Sequence, residues 1–358
     1  MKKDNLVRLP EVEVERGVDD LERLGWARNE GDLLAIKYSL LESGNPELEK
    51  WGLPRYLLAW PVMCLLSAWV MIKHYLFLLI KRPKQRLDQL LGPEQGTIFF
   101  DQAHPLGHWV RRGVTSWVAL DVIYSLPVAI PKPRGIGEYL LHFWLDQPDG
   151  QAVRNRLRLT YQIVKSELER LAQERRQTPI RILSLACGSA QAVIEALAQA
   201  EKQCPESRFE LCLVDASQEA LNQAKTLAQA REVKSHIEYE PRSVTDKLNH
   251  EFDASWDIVE TVGFFDYPAD AKVAEKCLAI KRVLKKNGLL ITAMISRSLW
   301  AFAVRWVINW PLLLRRRRSR IERILLRAFK SEEIEFKTEP WGIHHVVCCR
   351  RLNGQHYP

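Results

Sequence analysis

Between Arg181 and Leu221 the apolar pattern changes character abruptly. Ile182, Leu183 and Leu185 form a short apolar run that stops at Ala186-Cys187-Gly188-Ser189-Ala190, after which Val193, Ile194 and Leu197 recur at helical spacing. This predicts strand, small-residue turn, helix. A second strand, Leu211 to Val214, ends on Asp215, and Ser217 stands where a cap precedes the helical positions Ala220, Leu221, Ala224 and Leu227. Further strands are predicted at His236 to Tyr239, Trp256 to Val262 and Leu289 to Met294, with a helix from Ala269 to Leu284 and a turn at Lys285-Lys286-Asn287-Gly288. Ile334 to Phe336 and Ile343 to Cys349 read as a closing pair of strands. Strands alternating with helices make this an α/β chain.

Upstream, a long amphipathic helix is predicted from Gln151 to Arg175. Its core stripe is Leu157, Tyr161, Val164, Leu168 and Leu171, and its first half carries Arg154-Asn155-Arg156-Leu157-Arg158. Pro127, Pro131 and Pro133 with Gly135 and Gly137 predict a loop over 126–137, followed by a helix from Glu138 to Leu145.

Two stretches depart from this texture. Tyr56 to Ile80 opens with 17 uncharged residues, and as a helix it would span about 37 Å, enough to cross a bilayer. Lys73 is near enough to its end to snorkel, and Lys81, Arg82, Lys84 and Arg86 would hold the downstream residues on the cytoplasmic side. The alternative is one or two buried helices of an N-terminal helical layer, broken near Pro61. The second stretch, 299–320, joins Trp300, Trp306, Trp310 and Leu312 to Leu314 with Arg315 to Arg318 and Arg320. It suits a helix lying on an anionic membrane surface, with a substrate-pocket helix with a solvated basic end, or a nucleic-acid patch, as the alternatives.

A parallel sheet presents its ligand crevice at the carboxyl ends of its strands, where small turn residues let a ligand lie against bare backbone. Asp215, at such an end, is placed to accept two hydrogen bonds from a ribose diol. Ala186-Cys187-Gly188-Ser189-Ala190 has one glycine and no lysine, which excludes the dinucleotide fingerprint and the phosphate loop.

Leu183 to Ala190 resembles motif I of the class I S-adenosylmethionine-dependent methyltransferases, and Leu211 to Ala216 resembles their motif II. The resemblance covers about residues 150–352. It implies a Rossmann-like seven-stranded methyltransferase sheet with S-adenosyl-L-methionine as cofactor. By position, the implied cofactor contacts are Ala186, Cys187, Gly188, Ser189, Asp215 and Ala216, with Ser243, Thr261 and Gly263 at the ends of the third and fourth strands. The helix before motif I would pass the cofactor's carboxylate, and an arginine fork at Arg154 or Arg156 suits it. Ser184 stands where many members have an acid, and Ala186 and Ala190 replace two glycines.

A sulfonium methyl is already activated, so the protein must chiefly align the acceptor and exclude water. A hydroxyl or ammonium acceptor also needs a base. The candidates are Asp266 and Tyr267 after the fourth strand, with Tyr267 favoured for positioning, and His344 or His345, which strand alternation sends to opposite faces.

The chain has 358 residues and a net charge of +8, a balance that favours anionic partners such as a lipid surface or nucleic acid. Amino-methylating nucleic-acid enzymes carry prolines after the fourth strand to hold a flipped base. Here the position reads Val262-Gly263-Phe264-Phe265-Asp266-Tyr267, which makes nucleic acid unlikely. Seven cysteines without a C-x-x-C pair or partnering histidines read as thiols in a reducing compartment, with no metal site. No cleavable signal opens the chain, so the expected address is cytoplasmic and membrane-associated. The expected organisation is a charged segment 1–55, an apolar helix 56–82 as membrane anchor, a helical lid region 83–150, and a methyltransferase domain 151–358. The expected function is methyl transfer to an apolar or lipid-like acceptor. The alternatives are a membrane-tethered protein that binds the cofactor without turnover and a nucleic-acid methyltransferase.

Overall fold

The alternation in the predicted strands sorts their side chains onto two helical layers. The computed structural model describes residues 60–62, 64–65, 68–69, 104–129, 134–175, 178–298, 301, 304, 310 and 313–352. Strands β1 (Ile180–Leu185), β2 (Phe209–Asp215), β3 (His236–Pro241), β4 (Trp256–Val262), β5 (Leu284–Ile295), β6 (Ile334–Thr338) and β7 (His344–Arg350) form one sheet in the order β3-β2-β1-β4-β5-β7-β6. The pairs from β3 through β5 are parallel, while β7 runs antiparallel to β5 and β6. Strand order reverses between β1 and β4, which opens the ligand crevice of a doubly wound sheet at their carboxyl ends.

Nine described helices surround the sheet: α1 (Pro105–Arg112), α2 (Trp117–Ala129), α3 (Ile136–Leu145), α4 (Pro148–Glu174), α5 (Gln191–Gln203), α6 (Gln218–Ala230), α7 (Val244–His250), α8 (Asp270–Val283) and α9 (Arg318–Leu325). Ile182 faces Val164 and Leu168 of α4 and Val193 and Leu197 of α5. Its neighbour Leu183 faces the opposite layer, with Val273, Cys277 and Ile280 of α8 and Ile321 of α9. Ser217 caps α6 as expected, its hydroxyl accepting from the Ala220 N–H at 3.2 Å. The predicted turn at 285–288 is absorbed into β5, where Asn287 takes φ 62° and the register with β4 shifts between Trp256 and Ile258.

A third apolar cluster joins α1, α2 and α3 through Val110, Ile123, Leu126, Leu141 and Trp144. The loop expected over 126–137 begins later, because α2 continues through Pro127 to Ala129. Proline has no N–H for the Ile123 carbonyl four residues back. Arg154 supplies the missing donor: its Nη1 reaches the Ile123 oxygen at 3.3 Å and the Leu145 oxygen at 3.4 Å, while Nη2 pairs with Asp146 at 2.5 Å.

The two unusual stretches are only partly described. Most of 56–80 lies outside the described residues; within it, the ring of Trp60 packs edge-on against Phe143 and Trp144, with centroids 5.9 and 5.3 Å apart. No described helix is long and apolar enough to cross a membrane. In 299–320, three of the cations expected on an anionic surface hold internal partners instead. Arg315 donates to Asp149 at 2.6 Å, Arg320 to Asp270 at 2.6 Å, and the buried Arg316 to Asp270 and to the Phe265 and Pro268 carbonyls. A buried guanidinium needs such partners, because leaving its charge unpaired costs several kcal/mol.

Candidate functional site

Three residues of the turn after β1 take the left-handed conformation: Ala186 (φ 51°), Gly188 (φ 56°) and Ala190 (φ 51°). The turn folds back on β2, with the Cys187 N–H donating to the Val214 carbonyl at 3.1 Å. Gly188 N–H donates to Asp215 Oδ2 and Ser217 N–H to Oδ1, each at 2.9 Å. Burial raises the Asp215 pKa against these two N–H groups, and each carboxylate oxygen keeps lone-pair capacity toward the crevice. A Cβ on Gly188 would stand 3.3 Å from the Cβ of Trp117, so bare backbone faces the start of α2. Ser189 Oγ donates to Asp121 of the same helix at 2.8 Å. The helical layer therefore closes over the turn.

At the switch point, Ser184 of β1 and Glu260 of β4 are register partners. Ser184 Oγ donates to Glu260 Oε2 at 2.5 Å, and the Val262 N–H donates to Oε1 at 2.8 Å. Burial pushes the Glu260 pKa up to about 7, with Ser184, Val262 and the more distant Arg156 opposing it. Beyond β4, Gly263 takes φ 90°, and a Cβ there would meet the Arg156 guanidinium at 3.6 Å. Arg156 is buried; its Nη2 donates to Tyr124 Oη at 3.3 Å, its Nη1 lies 3.9 Å from Asp266 Oδ2, and its Nε has no partner among the described residues.

Over the ends of β4, β5 and β7 lies a cavity of about 80 Å³ whose walls are chiefly apolar, with Trp144, Val153, Ile295, Trp310 and Leu313 among them. Its polar lining includes Gln147, Arg156, Asp266, Tyr267 and His344. Asp266 is anchored by the Ile295 N–H at 2.7 Å, and burial raises its pKa to about 6 against the pull of Arg156. Tyr267 Oη accepts from Trp310 Nε1 at 3.2 Å. The side chains of His344 and Gln147 are both 2% exposed, and neither has a hydrogen-bond partner for either of its polar atoms among the described residues. Burial, then Arg156 and Arg315, lowers the His344 pKa well below the ordinary imidazole value, so the ring is neutral. His345 points away and pairs with Thr338 Oγ1 at 2.8 Å, as alternation requires.

The sequence candidates thus fall into three groups. Ala186, Cys187, Gly188, Ser189 and Asp215 meet at the β1–β2 crevice, with Ala216 exposed beside them. Gly263, Asp266, Tyr267 and His344 meet at the cavity. The remaining three have structural partners or surroundings. Arg154 is committed to Asp146 and two carbonyls, and exposed Ser243 caps α7 by accepting from the Asp246 N–H at 3.1 Å. Thr261 is wholly buried in β4, its hydroxyl without a partner among the described residues.

Of the two arginines on α4, Arg156 rather than Arg154 lines the cavity. The sequence did not single out Glu260 and Gln147; an acid near the carboxyl end of the apolar strand Trp256–Val262, three residues after Asp257, was the available signal for the first. Cys212, Glu238 and Glu240 approach one another; Glu240 accepts from Lys247 at 2.7 Å, and burial pushes the Cys212 thiol up to about 12.

An adenosine-bearing sulfonium donor needs bare backbone, a carboxylate for its ribose and charged groups for its amino-acid end. Gly188, Asp215, Glu260 and Arg156 are of the right kinds and surround the crevice, so these residues fit it.

The profile of a family described as "Putative methyltransferase" matches residues 102–351. No curated protein matches the chain. Among solved structures, a "possible exported protein" from Bordetella parapertussis superposes with a TM-score of 0.52 at 16% identity, over 81% of this chain and 97% of that one. Magnesium protoporphyrin IX methyltransferase from Synechocystis PCC 6803, solved with bound SAH, gives 0.39 at 12% identity, over 56% and 87%. An SAM-dependent methyltransferase from Methanosarcina mazei gives 0.36 at 15% identity, over 50% and 95%. The Bordetella structure shares the fold.

Proposed function

The chain belongs to this methyltransferase family, and from that premise we propose that it transfers a methyl group from S-adenosylmethionine to a hydroxyl of an apolar small molecule seated in the cavity beside Gly263. The observation that carries this reading is His344: a neutral imidazole, buried in an apolar cavity, with no partner for either nitrogen among the described residues. An orphaned buried polar group is unfavourable unless a ligand completes it.

S-adenosylmethionine supplies an electrophilic methyl carbon. Asp215 and the turn at Gly188 hold the adenosine end, and Tyr267 with its Trp310 contact orients the acceptor. The apolar walls exclude water, so proximity and alignment supply most of the rate. With the donor bound, its methyl carbon would pass to the hydroxyl oxygen, the C–S bond breaking as the C–O bond forms and sulfur keeping the electron pair. His344 accepts the hydroxyl proton. Burial, with Arg156 and Arg315, keeps the ring neutral and so able to take it.

The test is incubation of the full chain with methyl-labelled S-adenosylmethionine and fractionated lipids, small molecules, proteins and nucleic acids. Label should enter organic-extractable hydroxyl compounds in an alkali-stable ether linkage. Label in nucleic acid, or in no fraction, would refute the reading.

A further inference from the structure

We propose that the methyl acceptor is a neutral hydroxylated amide or lactam, its N–H and C=O edge held by Gln147 while its hydroxyl meets His344; the inference rests on the acceptor cavity assigned above and makes Gln147 the residue that selects the substrate.

The local chain turns Gln147 inward. It is the extended residue (φ −63°, ψ 160°) before α4, and its carbonyl accepts from the Gln151 N–H at 3.0 Å. A residue at this place ordinarily caps the helix with a side-chain oxygen, but the Gln147 side chain makes no cap hydrogen bond and lines the cavity instead. The other polar side chains of 146–151 are all engaged. Asp146 accepts from Arg154 at 2.5 Å and pairs with His142 at 2.9 Å. Asp149 accepts from Arg315 at 2.6 Å and from Ser298 at 2.8 Å. Gln151 donates to the Asp146 carbonyl at 2.7 Å and accepts from Trp341 Nε1 at 3.1 Å. Gln147 differs from them: it is 2% exposed, and neither Oε1 nor Nε2 has a partner among the described residues.

Gln147 and His344 thus leave one cavity with two separate unmet demands, and a ligand that meets both recovers the free energy of leaving such atoms unpaired. The neutral imidazole takes a hydroxyl. The Gln147 amide presents a donor beside an acceptor, so its partner must answer both. A carboxylate, ketone or ester accepts from Nε2 but cannot donate to Oε1. An ammonium donates to Oε1 but cannot accept from Nε2. A hydroxyl, with one oxygen, faces only one of the two atoms at good geometry. A primary amide or lactam carries N–H and C=O on one edge and meets both through parallel hydrogen bonds. Such a group is also uncharged, as walls that are chiefly apolar require, and Arg315 beside them is already paired with Asp149.

The experiment gives the full chain methyl-labelled S-adenosylmethionine and three phenols of matching shape, each in its 3- and 4-hydroxy form: hydroxybenzamide, hydroxyacetophenone and isopropylphenol. For the better isomer, kcat/KM for hydroxybenzamide should exceed that for hydroxyacetophenone by tenfold or more, and that for isopropylphenol by more again, because a site built to hydrogen-bond a substrate rejects the analogue that leaves it unpaired. Gln147→Leu should reverse the order, chiefly through KM: hydroxybenzamide falls tenfold or more and isopropylphenol rises. The melting temperature of this variant should hold or rise, which shows that it folds. A lowered melting temperature with the substrate order unchanged would make Gln147 a structural residue and overturn the proposal. If wild type does not prefer hydroxybenzamide, or Gln147→Leu scales all three phenols alike, the amide assignment is wrong while methyl transfer to a hydroxyl stands. If no phenol takes label, the amide assignment falls, and labelling of the fractionated extracts decides the hydroxyl reading separately.

Discussion

The backbone N–H of Gly188 donates to Asp215 Oδ2 over 2.9 Å, tying the turn after β1 to the tip of β2. One carboxylate thus shapes the turn and forms a wall of the crevice. Asp215→Ala should weaken S-adenosylhomocysteine by tenfold or more, since hydrogen bonds to a charged group contribute about 1.5–3 kcal/mol. Calorimetry checks this, and unchanged affinity would remove Asp215 from the site.

The same turn stores strain at Ala186 and Ala190, both at φ 51°. A non-glycine residue in that conformation is disfavoured by roughly 1–2 kcal/mol, only partly offset by the extra freedom glycine brings to the unfolded chain. Ala186→Gly should therefore stabilise the protein by about 0.5 kcal/mol in urea denaturation. A loss of stability would mean that packing of the Ala186 methyl outweighs the backbone strain.

Glu260 and Asp266 make the ligand-free protein sensitive to pH. Their folded pKa values, about 7 and about 6, lie above the ordinary 4.5 and 3.8, chiefly through burial. Between those limits the folded state binds more protons than the unfolded one, so their contribution is complete below about pH 4 and is lost as pH rises to 7. The melting temperature of the ligand-free chain should fall between pH 5 and pH 8. Glu260→Gln should flatten that fall and raise the value at pH 8, and a variant with an unchanged profile would contradict the assignment.

His344 separates catalysis from stability. Replacing it with Phe removes two buried nitrogens that have no partner among the described residues, so the melting temperature should hold or rise and donor affinity should stay the same. Methyl transfer should fall by roughly a hundredfold or more, the usual range for loss of a general base. A variant that keeps full activity would place the base elsewhere.

Much of the scaffold was legible because local signals agreed. The apolar run at 182–185, the small residues of 186–190 and the acid at 215 each mark one feature of the same crevice. What the sequence hid depended on partners far along the chain. Arg154 and Arg156 lie two residues apart on one helix, and tertiary context alone sends Arg154 to the carbonyl that Pro127 leaves unpaired and Arg156 to the cavity. The arginines after Leu314 looked like a surface patch, but Arg315 and Arg316 find their carboxylates at Asp149 and Asp270, 166 and 46 residues away. Glu260 looked like an ordinary strand residue, because its pairing with Ser184 is a matter of sheet register.

The central claim is that the crevice between the Gly188 turn and Asp215 receives the donor's adenosine. A crystal structure of the full chain with S-adenosylhomocysteine tests it most directly. The account predicts the ribose diol on the Asp215 carboxylate, backbone of the Gly188 turn against the nucleoside, and the sulfur directed toward the cavity of Tyr267 and His344. Ligand density at any other place, or an empty crevice at saturating ligand, would contradict it.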